Sequence, residues 1–366
     1  MRCLRPLFLL IGIHAFVALP ALKADPANEE TKEIEAAFKS QDWDKMISLC
    51  DSLIKRNPKN SKAFHCRAFA HNQKKETKLA IADWTEAVRL DPQFGKAFWN
   101  RGSLCYVEKD YERAIGDFTK AIELDYQKIM AYVNRAGAYT AAGQNKKALA
   151  DLDAAIKLDS RCESAFYNRA VIHGNEGDFD KAMENLNRVI ELNPKNDVAY
   201  AKRGLILLVS NAQEQALADF KECLRLNKAN WEAHWGYGSF YASVGDYDKA
   251  LASFTQAYDL NSEEACVLDS LAKLLGLNSK NKEKDGKRAY ELAKRACSAS
   301  DWKEPKYLQT LARVCGELEN FEEAIKWQKQ ALKLLEKVSD KEWKERAEGQ
   351  LKSYTEHKPY QEHSGD

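Results

Sequence analysis

Apolar residues along this chain recur three and four apart, the spacing of a helix that buries one face, rather than alternating as in a strand. The pattern itself repeats. Alanine returns every thirty-four residues at Ala80, Ala114, Ala148, Ala182, Ala216 and Ala250, and its neighbours return with it, as in Tyr111-Glu-Arg-Ala114-Ile and Tyr247-Asp-Lys-Ala250-Leu. One copy reads as two helices and a turn. From residue 97, Ala97-Phe98-Trp99-Asn100-Arg101-Gly102 opens helix A, Glu108-Lys109-Asp110 supplies the turn, and Tyr111 to Ile122 forms helix B. Gly102, Ala114 and Ala121 let the axes approach closely, while Phe98, Phe118 and Leu124 fill the space between them. Helix B stops near Leu90-Asp91-Pro92 or Leu192-Asn193-Pro194. Proline cannot continue a helix and turns the preceding residue away from helical angles.

Seven copies keep a strict period: 27–60, 61–94, 95–128, 129–162, 163–196, 197–230 and 231–264. The first is worn, with Met46 in the alanine slot. An eighth, 265–304, carries an insertion around 278–284, so that Ala289 arrives late. A ninth, 305–338, is clear from Leu311-Ala312 to Asn320-Phe-Glu-Glu-Ala324-Ile. A last helix, about Lys341 to Tyr354, places Trp343, Ala347, Leu351 and Tyr354 on one face and is expected to cap the stack.

This pattern resembles the tetratricopeptide repeat family: large at unit position 4, small at 8, aromatic at 11, alanine at 20, aromatic at 24, alanine at 27 and proline at 32. The fifth copy carries Phe166, Ala170, Ala182 and Pro194, and the seventh carries Gly238, Tyr241, Ala250, Phe254 and Ala257. The resemblance spans 27–338 and implies an all-α fold, a right-handed superhelical solenoid of about nine helix pairs with a C-terminal capping helix. The ending, with its inserted penultimate repeat and Lys358-Pro359-Tyr360, looks like that of exported bacterial members. The domain division is then 1–24 signal peptide, 25–338 solenoid, and 339–366 capping helix and tail.

The copies align against one another. Unit positions 7 and 23 change together: Arg67 with Asp83, Arg101 with Asp117, Arg135 with Asp151, and Arg203 with Asp219. The fifth copy has Arg169 with Asn185, and the eighth and ninth have Leu271 with Leu292 and Leu311 with Trp327. The switching predicts an Arg–Asp contact between helices A and B of one unit, two-pronged where geometry allows, with a structural role.

The resemblance assigns helix A to a concave groove. Unit position 6 holds Asn100, Asn134 and Asn168 in consecutive copies, followed by Lys202 and preceded by Cys66. An asparagine offers a donor and an acceptor, so a row of them suits the backbone of an extended peptide, as in the similar asparagine ladder of the O-GlcNAc transferases. Trp99, Tyr106, Tyr167 and Trp235 are the aromatic candidates for contact area beside it, with packing against neighbouring helices as the alternative. The carboxylate-clamp pattern of one family subclass is absent.

Composition changes this picture little. With 56 basic against 55 acidic residues the formal charge is +1, which gives no bulk attraction to nucleic acid or anionic membrane. The leader does change it. Arg2 and Arg5 precede an apolar run from Leu7 to Leu19, followed by Lys23-Ala24-Asp25-Pro26. That arrangement predicts a secretory signal cut after Ala24, or alternatively Ala21, with an uncleaved anchor as the other reading. Export to the periplasm or envelope follows. The eight cysteines beyond the leader show no zinc-ligand spacing and mostly occupy apolar slots, so they are expected as buried free thiols; Cys266 and Cys297 are the one candidate bridge.

No phosphate loop, HExxH or nucleophile–base set is present; Gly236-Tyr-Gly238 sits inside a repeat. No cofactor or metal is expected, nor any activity of its own. The expected function is a monomeric, non-enzymatic scaffold or adaptor of the cell envelope that binds a protein or peptide segment in the groove. A specificity subunit for an envelope enzyme or secretion complex on another chain is the alternative.

Overall fold

A computed structural model describes residues 29–278, 282–336, 338 and 340–360. The expected leader and its cleavage site lie outside these residues. Among the described residues all regular structure is α-helical. The chain divides into two compact units, one running to Leu192 and the other from Asn193.

In the first unit the helices are α1 (Glu29–Lys39), α2 (Trp43–Arg56), α3 (Ser61–Gln73), α4 (Thr77–Leu90), α5 (Gly95–Val107), α6 (Tyr111–Glu123), α7 (Lys128–Ala141), α8 (Asn145–Leu158), α9 (Glu163–Glu176) and α10 (Phe179–Leu192). In the second they are α11 (Asp197–Val209), α12 (Gln213–Leu226), α13 (Trp231–Ser243), α14 (Tyr247–Leu260), α15 (Ala265–Asn278), α16 (Lys282–Ala299), α17 (Pro305–Glu317), α18 (Phe321–Leu335) and α19 (Lys341–Thr355). Within each unit every helix packs on its chain neighbour, most closely as the A–B pairs α3 with α4 through α17 with α18.

The alanine slot explains the close pairing. Ala80, Ala114, Ala148, Ala182, Ala216 and Ala250 are all fully buried, as are Ala289 and Ala324 and the Met46 that replaces alanine in the first copy. Position 8 of helix A is equally constrained. A Cβ added at Gly238 would lie 2.4 Å from the Phe254 ring, and one at Gly204 2.6 Å from Phe220. An aromatic on helix B therefore fits only because the facing residue is small.

Proline is not what stops helix B. Asn57 and Asp91, which precede prolines, cap with extended angles, but so do Asp159 and Asn227, which do not. The shared element is an Asp or Asn whose side chain accepts the N–H two residues on: Asn57 from Lys59 at 3.1 Å, Asp91 from Gln93 at 3.0 Å, Asp159 from Arg161 at 2.9 Å and Asn227 from Ala229 at 3.0 Å. The side chain offers the backbone a turn in place of the next helical bond.

In the second unit, α19 covers the α17–α18 pair. Ala347 and Tyr354 are fully buried, Trp343 Nε1 donates to Gln309 Oε1 at 2.7 Å, and Gln328 Nε2 donates to the Ala347 carbonyl at 2.8 Å. Of the insertion expected at 278–284, residues 279–281 lie outside the described residues, and Lys282 onward forms the start of α16. No described helix is long and apolar enough to cross a membrane.

Candidate functional site: the helix A rows

The coupled positions 7 and 23 meet. Arg67, Arg101, Arg135 and Arg203 each direct Nε and Nη2 at the two oxygens of Asp83, Asp117, Asp151 and Asp219, at 2.7–2.8 Å. The carboxylates are 5–10% exposed. The hydrogen bonds that they donate to Asp83, Asp151 and Asp219 raise the guanidinium pKa of Arg67, Arg135 and Arg203. Each arginine also lies 5.4–5.7 Å over an aromatic ring at unit position 4, from Phe64 in α3 to Tyr200 in α11.

In the first unit the third nitrogen does something the internal alignment did not predict. Nη1 reaches helix B of the preceding copy: Arg67 to Asp51 at 2.5 Å, Arg101 to Thr85 at 3.2 Å, Arg135 to Thr119 at 2.9 Å and Arg169 to Asp153 at 2.6 Å. One arginine thus ties both the pair and the stack. The signal was available, since unit position 25 holds only short hydrogen-bonding residues in these copies.

Asn185 changes the local outcome. Its Oδ1 accepts from Arg169 Nε at 2.7 Å, but its Nδ2 turns to the Lys181 carbonyl at 2.7 Å, so the second prong is missing. A cavity of about 350 Å³ opens there, lined by Phe166, Arg169, Glu184, Asn185, Asn187, Arg188 and Glu191. Asn185→Asp should restore the arrangement of the other four copies. We expect it to stabilise the first unit by about 1 kcal/mol, one charge-assisted hydrogen bond gained against one neutral bond lost. Urea unfolding of the two proteins measures this; equal midpoints would show that the fifth copy tolerates either residue.

The position 6 row lies deeper than its sequence role requires. Asn134 and Asn168 are each 3% exposed, and Asn100 is half-buried. Asn134 Nδ2 and Asn168 Oδ1 are buried without a hydrogen-bond partner. Such groups cost about 1–3 kcal/mol each.

The aromatic candidates divide. Trp99 is 4% exposed and packs edge-on against Phe118 and Tyr126 at 5.7 and 6.3 Å. Tyr167 is fully enclosed, and Trp235 is buried with its Nε1 donating to Ser270 Oγ at 3.0 Å. Tyr106 stays half-buried beside Tyr111, next to Val107, which is 66% exposed. Ring area that faces a neighbouring helix is unavailable to a partner. Asn100 and Tyr106 are therefore the candidates of the first unit that keep an open surface.

Lys202 departs furthest from its expected place. It is 1% exposed and bonds Glu232 of α13 in a buried ion pair. Burial raises the pKa of Glu232, against the charge and hydrogen bond of Lys202. Glu264 beside it is raised by burial and by Glu232. Lys306 Nζ, buried without a hydrogen bond, rests 4.5 Å over the Tyr307 ring. Sequence reading missed this charged core because its members come from different unit positions and no internal alignment pairs them.

The chemistry on view is that of packing and hydrogen bonding. Among the described residues no group of three or more His, Cys, Asp or Glu side chains is placed to hold a metal ion. All eight described cysteines are free and buried, as expected for thiols in apolar slots, and the candidate bridge between Cys266 and Cys297 is absent.

Family models of the tetratricopeptide repeat match residues 164–196, 73–127 and 202–265, and 131–162 and 305–336, which together make up more than half of the chain. Among solved structures, a tetratricopeptide repeat protein from Parabacteroides merdae is 16% identical with a TM-score of 0.56, over 67% of this chain and 97% of that one. The C-terminal part of a repeat protein from Cytophaga hutchinsonii is 16% identical with a TM-score of 0.51, over 66% and 98%. Yeast Tom70 is 17% identical with a TM-score of 0.48, over 89% and 88%. Similarity at these identities speaks to the fold. No curated protein matches the chain.

Proposed function

We propose that this chain, which belongs to the tetratricopeptide repeat family, acts as a scaffold or adaptor that binds an extended protein segment along its helix A rows, in the cell envelope and without catalysis of its own. Protein binding is the general role of the family. What supports the finer reading is one observation: in the first unit Asn100 and Tyr106 keep an open surface on one helix A, with Val107 66% exposed beside them, so a donor–acceptor amide and apolar area lie within reach of a partner. An extended backbone carries the complementary C=O and N–H groups. Tyr106 and Val107 would supply the reachable apolar contact beside Asn100. The envelope location rests on the leader pattern of residues 1–24.

The test begins with a random-peptide library selected against the full chain. A peptide so obtained is then measured against Asn100→Ala. One or two lost hydrogen bonds should weaken binding by about 3–30-fold. Helicity should hold, because Asn100 is half-buried and alanine favours the helix. An unchanged Kd would remove Asn100 from the site.

A further inference from the structure

Two buried thiols meet where α2 packs on α3. Cys50 and Cys66 are both fully buried, within one apolar cluster that also holds Met46, Phe69 and Trp84. Cys66 lies close enough to Cys50 to push the pKa of its thiol up. Their unit positions, 24 and 6, are contact positions between successive copies. In the second unit Phe220 and Gly236 hold the same slots, and a Cβ added at Gly236 would lie 2.3 Å from Phe220 Cζ. The register is pinned one residue along both helices, where Arg67 Nη1 bonds Asp51 Oδ1 at 2.5 Å. At these two unit positions the first copy and the helix A that follows it alone both carry cysteine; the equivalent pairs are Trp84 with Asn100, Phe118 with Asn134, and Leu152 with Asn168.

We propose that Cys50 and Cys66 are a modification site: a reversible disulfide that ties α2 to α3, formed by exchange with a low-molecular-weight disulfide of the glutathione class. One cysteine, as thiolate, attacks the oxidant's disulfide, forms a mixed disulfide and expels one small thiolate. The second cysteine, as thiolate, attacks the protein sulfur of that mixed disulfide and expels the other. The protein loses two electrons and two protons, and the oxidant leaves as two thiols. Contact must close to an S–S bond of about 2.0 Å, which requires α2 to settle further onto α3. The neighbouring Cys66 and burial hold the Cys50 thiol far above the ordinary thiol range. Exchange therefore waits on an opening of α2 from α3.

The experiment incubates the full chain with oxidised glutathione across a urea series that loosens α2 while the rest stays folded. Alkylation, proteolysis and mass spectrometry follow. The expected product is a linked peptide pair containing Cys50 and Cys66, separated by reductant. Amide exchange in α2 should slow about a hundredfold in the oxidised protein, as closure of a loop of this length implies. Cys66→Ser should give a glutathione adduct at Cys50 and no linked pair. The proposal is overturned if Cys50 and Cys66 are recovered singly alkylated across the whole series. It is also overturned if the bridge forms instead between Cys297 and Cys315, the other buried pair near enough to influence each other.

Discussion

Lys202→Met is expected to destabilise the second unit by about 3–5 kcal/mol at neutral pH, the cost of removing one partner of a buried ion pair. Lys202 and Glu232 are 1% and 7% exposed, so water cannot replace the lost ammonium. Methionine matches the length of the lysine stem, which keeps the packing term small. The loss should shrink in acid. Burial already raises the Glu232 pKa, and without Lys202 nothing opposes that rise. A neutral carboxyl can occupy the site, so the variant should regain stability relative to the native chain as pH falls from 7 towards 5. Urea midpoints for both proteins across that range, read by tryptophan fluorescence, provide the measurement. A variant as stable as the native chain at pH 7 would mean that the pair contributes nothing beyond its packing.

The first unit should respond to acid in the opposite sense, through His65. This imidazole is fully buried on α3 and accepts a hydrogen bond at Nδ1 from Trp84 Nε1 at 3.2 Å. Burial, with a smaller contribution from Lys96, lowers its pKa from 6.5 to about 3. The folded state therefore holds His65 neutral where the unfolded chain would protonate it. The stability that this contributes is complete above pH 6.5 and is lost as pH falls towards 3. The loss is about 2 kcal/mol by pH 5 and roughly 5 kcal/mol at the acid end. His65→Gln keeps an acceptor for Trp84 and removes the titration. The difference between the two proteins should vary with pH between 6.5 and 4, while carboxylate effects common to both cancel. Parallel pH profiles would show that His65 is protonated without penalty.

These two sites show how unevenly the sequence revealed the molecule. The Arg–Asp pairs were legible because four copies carry the same two residues, the fifth keeps Arg169 opposite the hydrogen-bonding Asn185, and the eighth and ninth turn both positions apolar; the sequence supplied its own alignment. His65 and Lys202 carried no such signal. His65 stands once in its slot, and Lys202 shares its slot only with Lys32 of the worn first copy. A charged side chain on a helix A position reads as solvent-facing until the partner that neutralises it is known. Glu232 lies on another helix, thirty residues along the chain.

The helix stop was legible in place but not in cause. Proline marks it in some copies, yet Asp159 and Asn227 make the same turn without one, through their own side-chain acceptors. The asparagine row was legible as a row. Its depth was not, because exposure at Asn134 and Asn168 depends on how the neighbouring helices close over helix A.

By itself, the sequence determined the thirty-four-residue unit, the helix pair within it, the small residues at the contacts and the arginine that couples positions 7 and 23. All of these follow from interactions inside one repeat, which the pattern records copy after copy, the arginine in five of them. Only the tertiary structure decided which helix A side chains remain reachable, that Trp99 and Tyr167 face inward while Tyr106 stays open, that each arginine's third nitrogen bonds the preceding copy in the first unit, and that Cys50 meets Cys66 while Cys266 and Cys297 stay apart. Those outcomes depend on the size and charge of side chains in neighbouring helices, and burial is a property of the packed neighbourhood rather than of a position in the repeat.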